Sequence, residues 1–216
     1  NLLELVLSID KRIILVPCHV WTPHFGIYGS ASGFDSLHEA FGDMDKYIYG
    51  VETGLSSDPE MNWQIEELKT RSILSFSDAH SPAKMGREAT VFELEEPTYE
   101  NIRKAIMRLS VLGSQLSVPS QSVDQLTGKL KTEKLKSDNR QQKTDNRILY
   151  TIEFYPEEGK YHFSGHRNCK VVFGPEDIRA KGNICPVCKR RLTEGVLYRL
   201  QQLSKEDLLN RVEQKY

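Results

Sequence analysis

The sequence predicts an α/β fold on a parallel sheet, open or closed into a barrel, followed by a small metal-clasped module. Short apolar runs alternate with helical patterns through the first half, two of these runs end in His or Asp-x-His, and paired metal-ligand spacings occur near the C-terminal end.

Residues 2–7 carry a helical apolar pattern, with Leu2, Leu5 and Leu3, Val6 spaced for one buried face. The run is interrupted by Glu4 and stops at Asp10, too short and too polar for a bilayer, and no basic lead-in precedes it. With no initiating Met, the chain is expected to lack an N-terminal portion. Residues 12–16, 47–51, 72–76 and 89–94 are the expected strands, each a brief apolar run of the kind covered on both faces. Asp58 as N-cap and Pro59 at the first helical position predict a helix over 59–69. Thr98 can cap a second helix over 99–109, which places Ile102, Ala105, Ile106 and Leu109 on one side.

The character changes at residues 114–147, a stretch without aromatics and rich in Ser, Gln, Lys, Asp and Asn. It cannot bury enough surface to offset its ordering entropy, so it reads as a flexible polar linker or insertion. Residues 148–155 restore strand-like alternation, a compact module runs to about Leu200, and a capping box at Ser204 opens a last helix. The expected domains are therefore a hydrolase-like part over 1–113, the linker, and a metal-binding module with a C-terminal helix over 148–216.

Net charge is −1, but its distribution is uneven. Residues 1–110 hold 17 acidic and 10 basic side chains, whereas residues 160–199 hold 3 and 9. An acidic body suits metal chemistry, and a basic appendage suits a polyanion. The 4 cysteines fit a reducing cytoplasm better than two disulfides, because Cys185-Pro186-Val187-Cys188 has the spacing of a zinc knuckle.

His166-Arg167-Asn168-Cys169 supplies a second knuckle, and the four ligands His166, Cys169, Cys185 and Cys188 complete a structural zinc site. His162 competes with His166 for the fourth place. Arg167, Lys170, Lys189, Arg190 and Arg191 lie around this centre, with Lys160, Arg179, Lys181 and Arg199 nearby, and could contact phosphates without reading sequence.

His19 follows an apolar run and Pro17, where a strand meets a loop. Asp78 and His80, one residue apart after the run 72–76, point the same way from an extended segment. Together the three could hold a divalent cation (Zn, Mg or Mn) that activates water or polarises a phosphoryl oxygen. Glu52, ending another strand, is a ligand, an orienter of an imidazole, or a loop acid without a role. Asp58 is explained as a cap, and Asp35 and Asp43 as turn or cap residues. The glycine-rich loop 22–34, with Phe25 and Tyr28, could clamp a base by stacking or pack as a surface loop. Trp21 and Trp63 are read as core or rim residues, and Cys18, next to His19, as a buried packing thiol or a thiol that approaches the metal.

The segments Pro17-Cys18-His19-Val20-Trp21-Thr22-Pro23, Glu52-Thr53-Gly54-Leu55-Ser56-Ser57-Asp58-Pro59-Glu60-Met61-Asn62-Trp63 and Ser77-Asp78-Ala79-His80-Ser81-Pro82 resemble the polymerase-and-histidinol-phosphatase (PHP) superfamily, most closely the endonuclease Q family. Residues 155–162, 165–169 and 184–188 resemble that family's C-terminal zinc module.

The resemblance implies the C-terminal portion of a PHP-type distorted TIM-like (β/α)7 barrel and a DNA repair endonuclease. Such an enzyme cuts 5′ to uracil, hypoxanthine, xanthine or an abasic site. It further implies His19, Asp78 and His80 as metal-binding and catalytic residues, and damaged DNA as partner, with replication or repair proteins as further partners. The family's N-terminal His-x-His, Asp and Glu motifs have no counterpart here. A small-molecule phosphoesterase and a catalytically dead damaged-DNA-binding remnant are the competing readings.

Overall fold

The computed structural model describes residues 2–31, 33–115 and 146–204. Helix α1 (Leu2–Ile9) lays Leu3 into the core with Val6 and Leu7 packed behind it, whereas Leu2 and Leu5 stay exposed. The single buried face therefore runs through Leu3, not Leu2. Residues 12–16 form no ladder, although Leu15 packs against the core. Pairing begins at Pro17, whose carbonyl accepts from Glu52 N–H (3.0 Å), while Glu52 O accepts from Val20 N–H (3.3 Å). A regular parallel bridge would join Glu52 to residues two apart. These are three apart, so a residue is bulged out at Cys18-His19.

Strand β1 (Gly50–Glu52) pairs in parallel with β2 (Ser72–Leu74), and both are wholly buried. A short helix α2 (Leu37–Phe41), capped by Ser36, and a 3-10 turn (Gly42–Tyr47) precede β1, so the expected strand 47–51 starts later than its apolar run. Between β1 and β2 the expected helix 59–69 is broken. Asp58 caps α3 (Pro59–Asn62) by accepting from Met61 N–H (2.8 Å), and a 3-10 turn (Glu66–Thr70) follows. The break falls at Asn62, which is buried and satisfied on both sides: its amide donates to Asp58 O (2.7 Å), and its Oδ1 accepts from Trp21 Nε1–H (2.8 Å). That cross-link delivers Ile65 and Leu68 to the core.

The fourth expected strand is not parallel. β3 (Ala89–Glu93) pairs antiparallel with β4 (Arg147–Ile152), with a register shift between Val91 and Phe92. Helix α4 (Tyr99–Gln115) runs past its expected end and packs Ala105 and Ile106 on β2, where Ile106 O accepts from Ser72 Oγ–H (2.6 Å). A two-stranded antiparallel sheet of β5 (Ser164–His166) and β6 (Val171–Phe173), then α5 (Pro175–Lys181) and α6 (Val196–Leu203), complete the described chain. The helix expected from Ser204 and most of the linker lie outside the described residues, but Arg147, expected in the linker, opens β4.

Two cores result. The larger joins Leu3, Val20, Trp21, Tyr28, Ile48, Val51 and Leu68 with Val196 and Leu200 of α6. The smaller, of Val171, Ile178, Cys185 and Leu192, surrounds the cysteine knuckles. The region after β4 is thus built into the body by α6. Among the described residues no helix is long and apolar enough to cross a membrane.

Candidate metal centres

Four non-glycine residues among those described have positive φ: His19 (47°), Asp78 (44°), Lys170 (53°) and Lys189 (61°). Left-handed backbone is costly for L-residues and persists where the surroundings impose it. All four sit at the two sites expected to hold metal.

At the cysteine centre, His166, Cys169, Cys185 and Cys188 offer ligand atoms that lie within 4.8 Å of one another. Each knuckle turns on one of the left-handed lysines: Lys170 N–H donates to Arg167 O (2.9 Å), and Lys189 N–H to Cys185 O (2.9 Å). Burial and the neighbouring thiols of Cys188 and Cys185 push Cys169 up to about 11. Burial also acts to raise Cys185, but the N–H groups of Cys188 and Val187 outweigh it and hold that thiol at about 6. Three sulfurs and an imidazole in this arrangement could hold one metal ion. His162 is not among them. It is buried, with Nδ1 3.0 Å from Ser56 O, and so fastens the module to the body.

At the second centre, His19 emerges from the bulge beside β1 and is half-buried. Its Nδ1 lies 3.2 Å from Glu52 Oε2 and its Nε2 3.4 Å from Asp78 Oδ2. Glu52 is buried, accepts from His19 N–H (2.5 Å) and Gly54 N–H (2.9 Å), and so orients the imidazole. Gly54 holds left-handed backbone (φ +66°), which favours glycine, and a Cβ there would press on His19 Nδ1 at 3.1 Å. The hydrogen bond to Glu52 raises the His19 pKa, against the effect of burial and with the help of the Glu52, Asp78 and Glu88 charges. Burial pushes Glu52 upward, but His19 and the two N–H donors outweigh it, so Glu52 stays below the ordinary carboxylate range.

Asp78 lies on the loop after β2. Arg87 holds that loop by donating from Nε to Ser77 O (2.8 Å) and from Nη2 to Asp78 O (3.4 Å). His80 is 83% exposed and its Nδ1 faces Asp78 O at 2.9 Å, with Asp78 Oδ1 at 3.9 Å. The fold brings His19, Glu52 and Asp78 together and leaves His80 exposed beside Asp78.

Behind this pair lie two acids that sequence reasoning missed. Glu88 is 2% exposed; Oε1 accepts from Phe154 N–H (3.3 Å), and the buried Oε2 has no partner. Burial, with Glu153 and Glu52 nearby, pushes its pKa up to about 7. Glu153, also raised by burial, accepts from Ser75 Oγ–H (3.1 Å) and Thr53 Oγ1–H (3.3 Å). A single Glu at the head of a strand carries no spacing signal.

Three sequence expectations are corrected. Tyr28 is no stacking platform: it is fully buried, stacks on Trp21 (centroids 4.9 Å) and donates its O–H to Glu67 (2.8 Å). Arg199 is no free cation for DNA, because it donates to Tyr28 O, Phe34 O and Asp35 Oδ1. Cys18 is exposed rather than packed. Phe25 is 86% exposed on the loop with its ring edge-on to His24, Trp63 is also exposed, and so are Arg167, Lys170, Lys189, Arg190 and Arg191.

No family model matches the chain. It is 29% identical over 191 residues to the uncharacterized protein MJ0043 of Methanocaldococcus jannaschii, covering 85% of this chain and 19% of that one. It is 28% identical over 207 residues to the uncharacterized protein YqxK of Bacillus subtilis, covering 93% and 43%. Among solved structures, the lesion-specific endonuclease PfuEndoQ from Pyrococcus furiosus superposes with a TM-score of 0.67 at 27% identity, over 94% of this chain and 41% of that chain. Endonuclease Q in complex with a 27-mer duplex carrying an abasic lesion at its active site gives 0.66 at 25% identity, over 95% and 43%. The chain thus spans less than half the length of each of these proteins. In sequence and fold together the chain is similar to endonuclease Q over 94–95% of its own length.

Proposed function

We propose that this chain is the C-terminal portion of a metal-dependent DNA repair endonuclease that hydrolyses the phosphodiester 5′ to a deaminated base or an abasic site. The observation that carries the reading is the His19–Asp78 pair. Two donors bound at ~2.1 Å to one tetrahedral ion stand about 3.4 Å apart, and His19 Nε2 and Asp78 Oδ2 are separated by 3.4 Å. Glu52 on Nδ1 keeps the proton there and leaves the Nε2 lone pair for a ligand, which is how protein carboxylates tune metal-bound histidines.

A divalent cation (Zn, Mg or Mn), when bound, would supply Lewis acidity toward water and a phosphoryl oxygen. His19 and Asp78 would hold it, with His80 swinging in from the rim. The bulge next to β1 and the Arg87 clamp fix the two principal ligands before substrate arrives, so little reorganisation is left for the reaction. The Cys3His centre is assigned structural zinc, whose role is to set the knuckles that carry Arg167, Lys170, Lys189, Arg190 and Arg191 toward phosphates. Phe25 would border the damaged nucleotide. The barrel reading is supported by the parallel order of residues 17–20, β1 and β2.

The deciding experiment is a nicking assay on duplexes containing one uracil, hypoxanthine or abasic site, with Mg, Mn or Zn. It compares the chain alone with the chain joined to the N-terminal half of a family member. Cutting on the 5′ side, lost in His19→Ala, supports the proposal. Affinity for lesion DNA without nicking at any metal concentration, in both forms, would identify a binding remnant instead. Turnover of a phosphorylated metabolite in preference to lesion DNA would make the protein a small-molecule phosphoesterase.

A further inference from the structure

A groove of about 620 Å³ is lined by the segment entering β5 and the first knuckle of the cysteine module, with His24 of the glycine-rich loop also on its wall. None of His19, Glu52, Asp78 or His80 lines it. Its cationic side chains are Lys160, Arg167 and Lys170, against one acid, Glu157. Two of these cations are held in place: Lys160 Nζ sits 5.1 Å and Arg167 Cζ 5.6 Å from the centroid of the Tyr161 ring. Contacts of this kind within about 6 Å orient a cation without neutralising it.

Phe163 and Tyr161 are the Phe and Tyr side chains that line the groove, and Phe163 is the more exposed. It remains 37% exposed even though its ring is fixed edge-on by His162, with centroids 4.7 Å apart and an interplanar angle of 85°. His162 is itself anchored to Ser56 O, and Tyr161 N–H donates to Ser56 Oγ (3.3 Å), so the strip 161–163 is stapled to the body. A rigid, half-exposed aromatic ring beside oriented cations is the arrangement that takes an unpaired base on its face and phosphates alongside. Duplex DNA offers no free base face to such a ring, and a lone anion leaves most of the volume and the ring unused.

We infer that this groove binds one or two unpaired nucleotides of a DNA strand, with a base stacked on Phe163 and the backbone between Lys160, Arg167 and Lys170. The inference rests on reading the chain as DNA-directed, but not on its cutting chemistry.

The test uses the full chain and lesion-free DNA, so that cleavage plays no part. Fluorescence anisotropy is measured with labelled octathymidylate and with a matched blunt duplex, at two salt concentrations. Phe163→Ala is expected to weaken oligonucleotide binding about tenfold and to change duplex binding less than twofold. Phe163→Trp should retain the affinity. Lys160→Ala should lower the slope of log affinity against log salt by about 0.7 for the single strand. Bound zinc and melting temperature are recorded for each variant, and if Phe163→Ala fails to fold, Phe163→Leu and Lys160→Ala carry the test.

Wild-type oligonucleotide affinity in these variants overturns the inference, as does equal weakening of both DNAs. Displacement of the oligonucleotide by millimolar inorganic phosphate reduces the groove to an anion site and also overturns it. Lesion cutting that survives all groove variants leaves the nuclease reading standing, whereas stacking without cutting, by the chain alone and by the chain joined to an N-terminal half, overturns only the nuclease.

Discussion

His19 Nε2 and Asp78 Oδ2 lie 3.4 Å apart although 59 residues separate them in sequence, and both residues hold left-handed backbone to meet. Asp and Asn tolerate that conformation far better than most residues. Asp78→Asn should therefore fold normally, with a melting temperature within about 2 °C of wild type, and bind lesion DNA within about threefold. It should lower cutting by about a thousandfold or more, because an amide replaces an anionic ligand. Undiminished cutting would remove Asp78 from the site. Asp78→Ala should be less stable by about 1 kcal/mol, the cost of putting an ordinary Cβ into left-handed backbone.

Glu52 accepts N–H groups of His19 and Gly54 and faces the His19 imidazole, so its charge acts through the ring. Glu52→Gln keeps an acceptor but loses the negative charge that favours Nδ1–H. Metal affinity at this centre is expected to fall about 10- to 100-fold, measured by competition with a chromogenic chelator, while the Cys3His centre keeps its ion. Equal loss at both centres would mean a folding defect.

How much of this was legible in the sequence depends on how local each signal is. The two knuckles were readable because their ligands sit two residues apart within one turn. His19, Asp78 and His80 were readable because each follows an apolar run. Tyr28 was not, because its burial is decided by Trp21 and by Glu67, 39 residues away. The antiparallel pairing of β3 was also hidden: its partner β4 lies beyond the polar stretch that follows α4, and an apolar run does not encode strand direction. Arg199 looked like one more module cation, although its three acceptors all come from the loop of residues 28–35.

Removal of metal should divide the molecule along its two cores. The smaller core is four buried residues around the knuckles, too few to hold the fold without the ion. A chelator, or Cys188→Ser, should release one equivalent of bound metal and expose residues 164–194 to protease. The Trp21 fluorescence should persist, because Val196 and Leu200 anchor α6 in the larger core. Cooperative loss of both would show that the cores are not separable.

Glu88 makes stability fall as pH rises. Its folded pKa of about 7 lies above the unfolded value of 4.5, so between the two the native state binds more protons and unfolding becomes easier with increasing pH. The full effect, present above pH 7, is about 3 kcal/mol by linkage. Glu88→Gln keeps an oxygen for Phe154 N–H and removes the ionisation. The variant should match wild type near pH 4.5 and exceed it in melting temperature at pH 8. An unchanged difference across that range would show that Glu88 is ionised in the native state at all these pH values.

Arg199 should behave as a clamp and not as a DNA contact. Its side chain is 14% exposed and it bridges α6 to the glycine-rich loop by donating to Tyr28 O (3.0 Å), Phe34 O (3.1 Å) and Asp35 Oδ1 (2.6 Å). Lysine cannot reproduce that fork. Arg199→Lys should therefore lower unfolding free energy by about 2 kcal/mol, from two carbonyls left short of a donor. Asp35→Ala, at an exposed partner, should cost less than about 1 kcal/mol. The salt dependence of DNA binding should stay as in wild type for Arg199→Lys, and become shallower for Arg190→Ala, whose side chain is exposed on the second knuckle. A shallower slope in Arg199→Lys would mean that this arginine leaves its three acceptors to reach a phosphate.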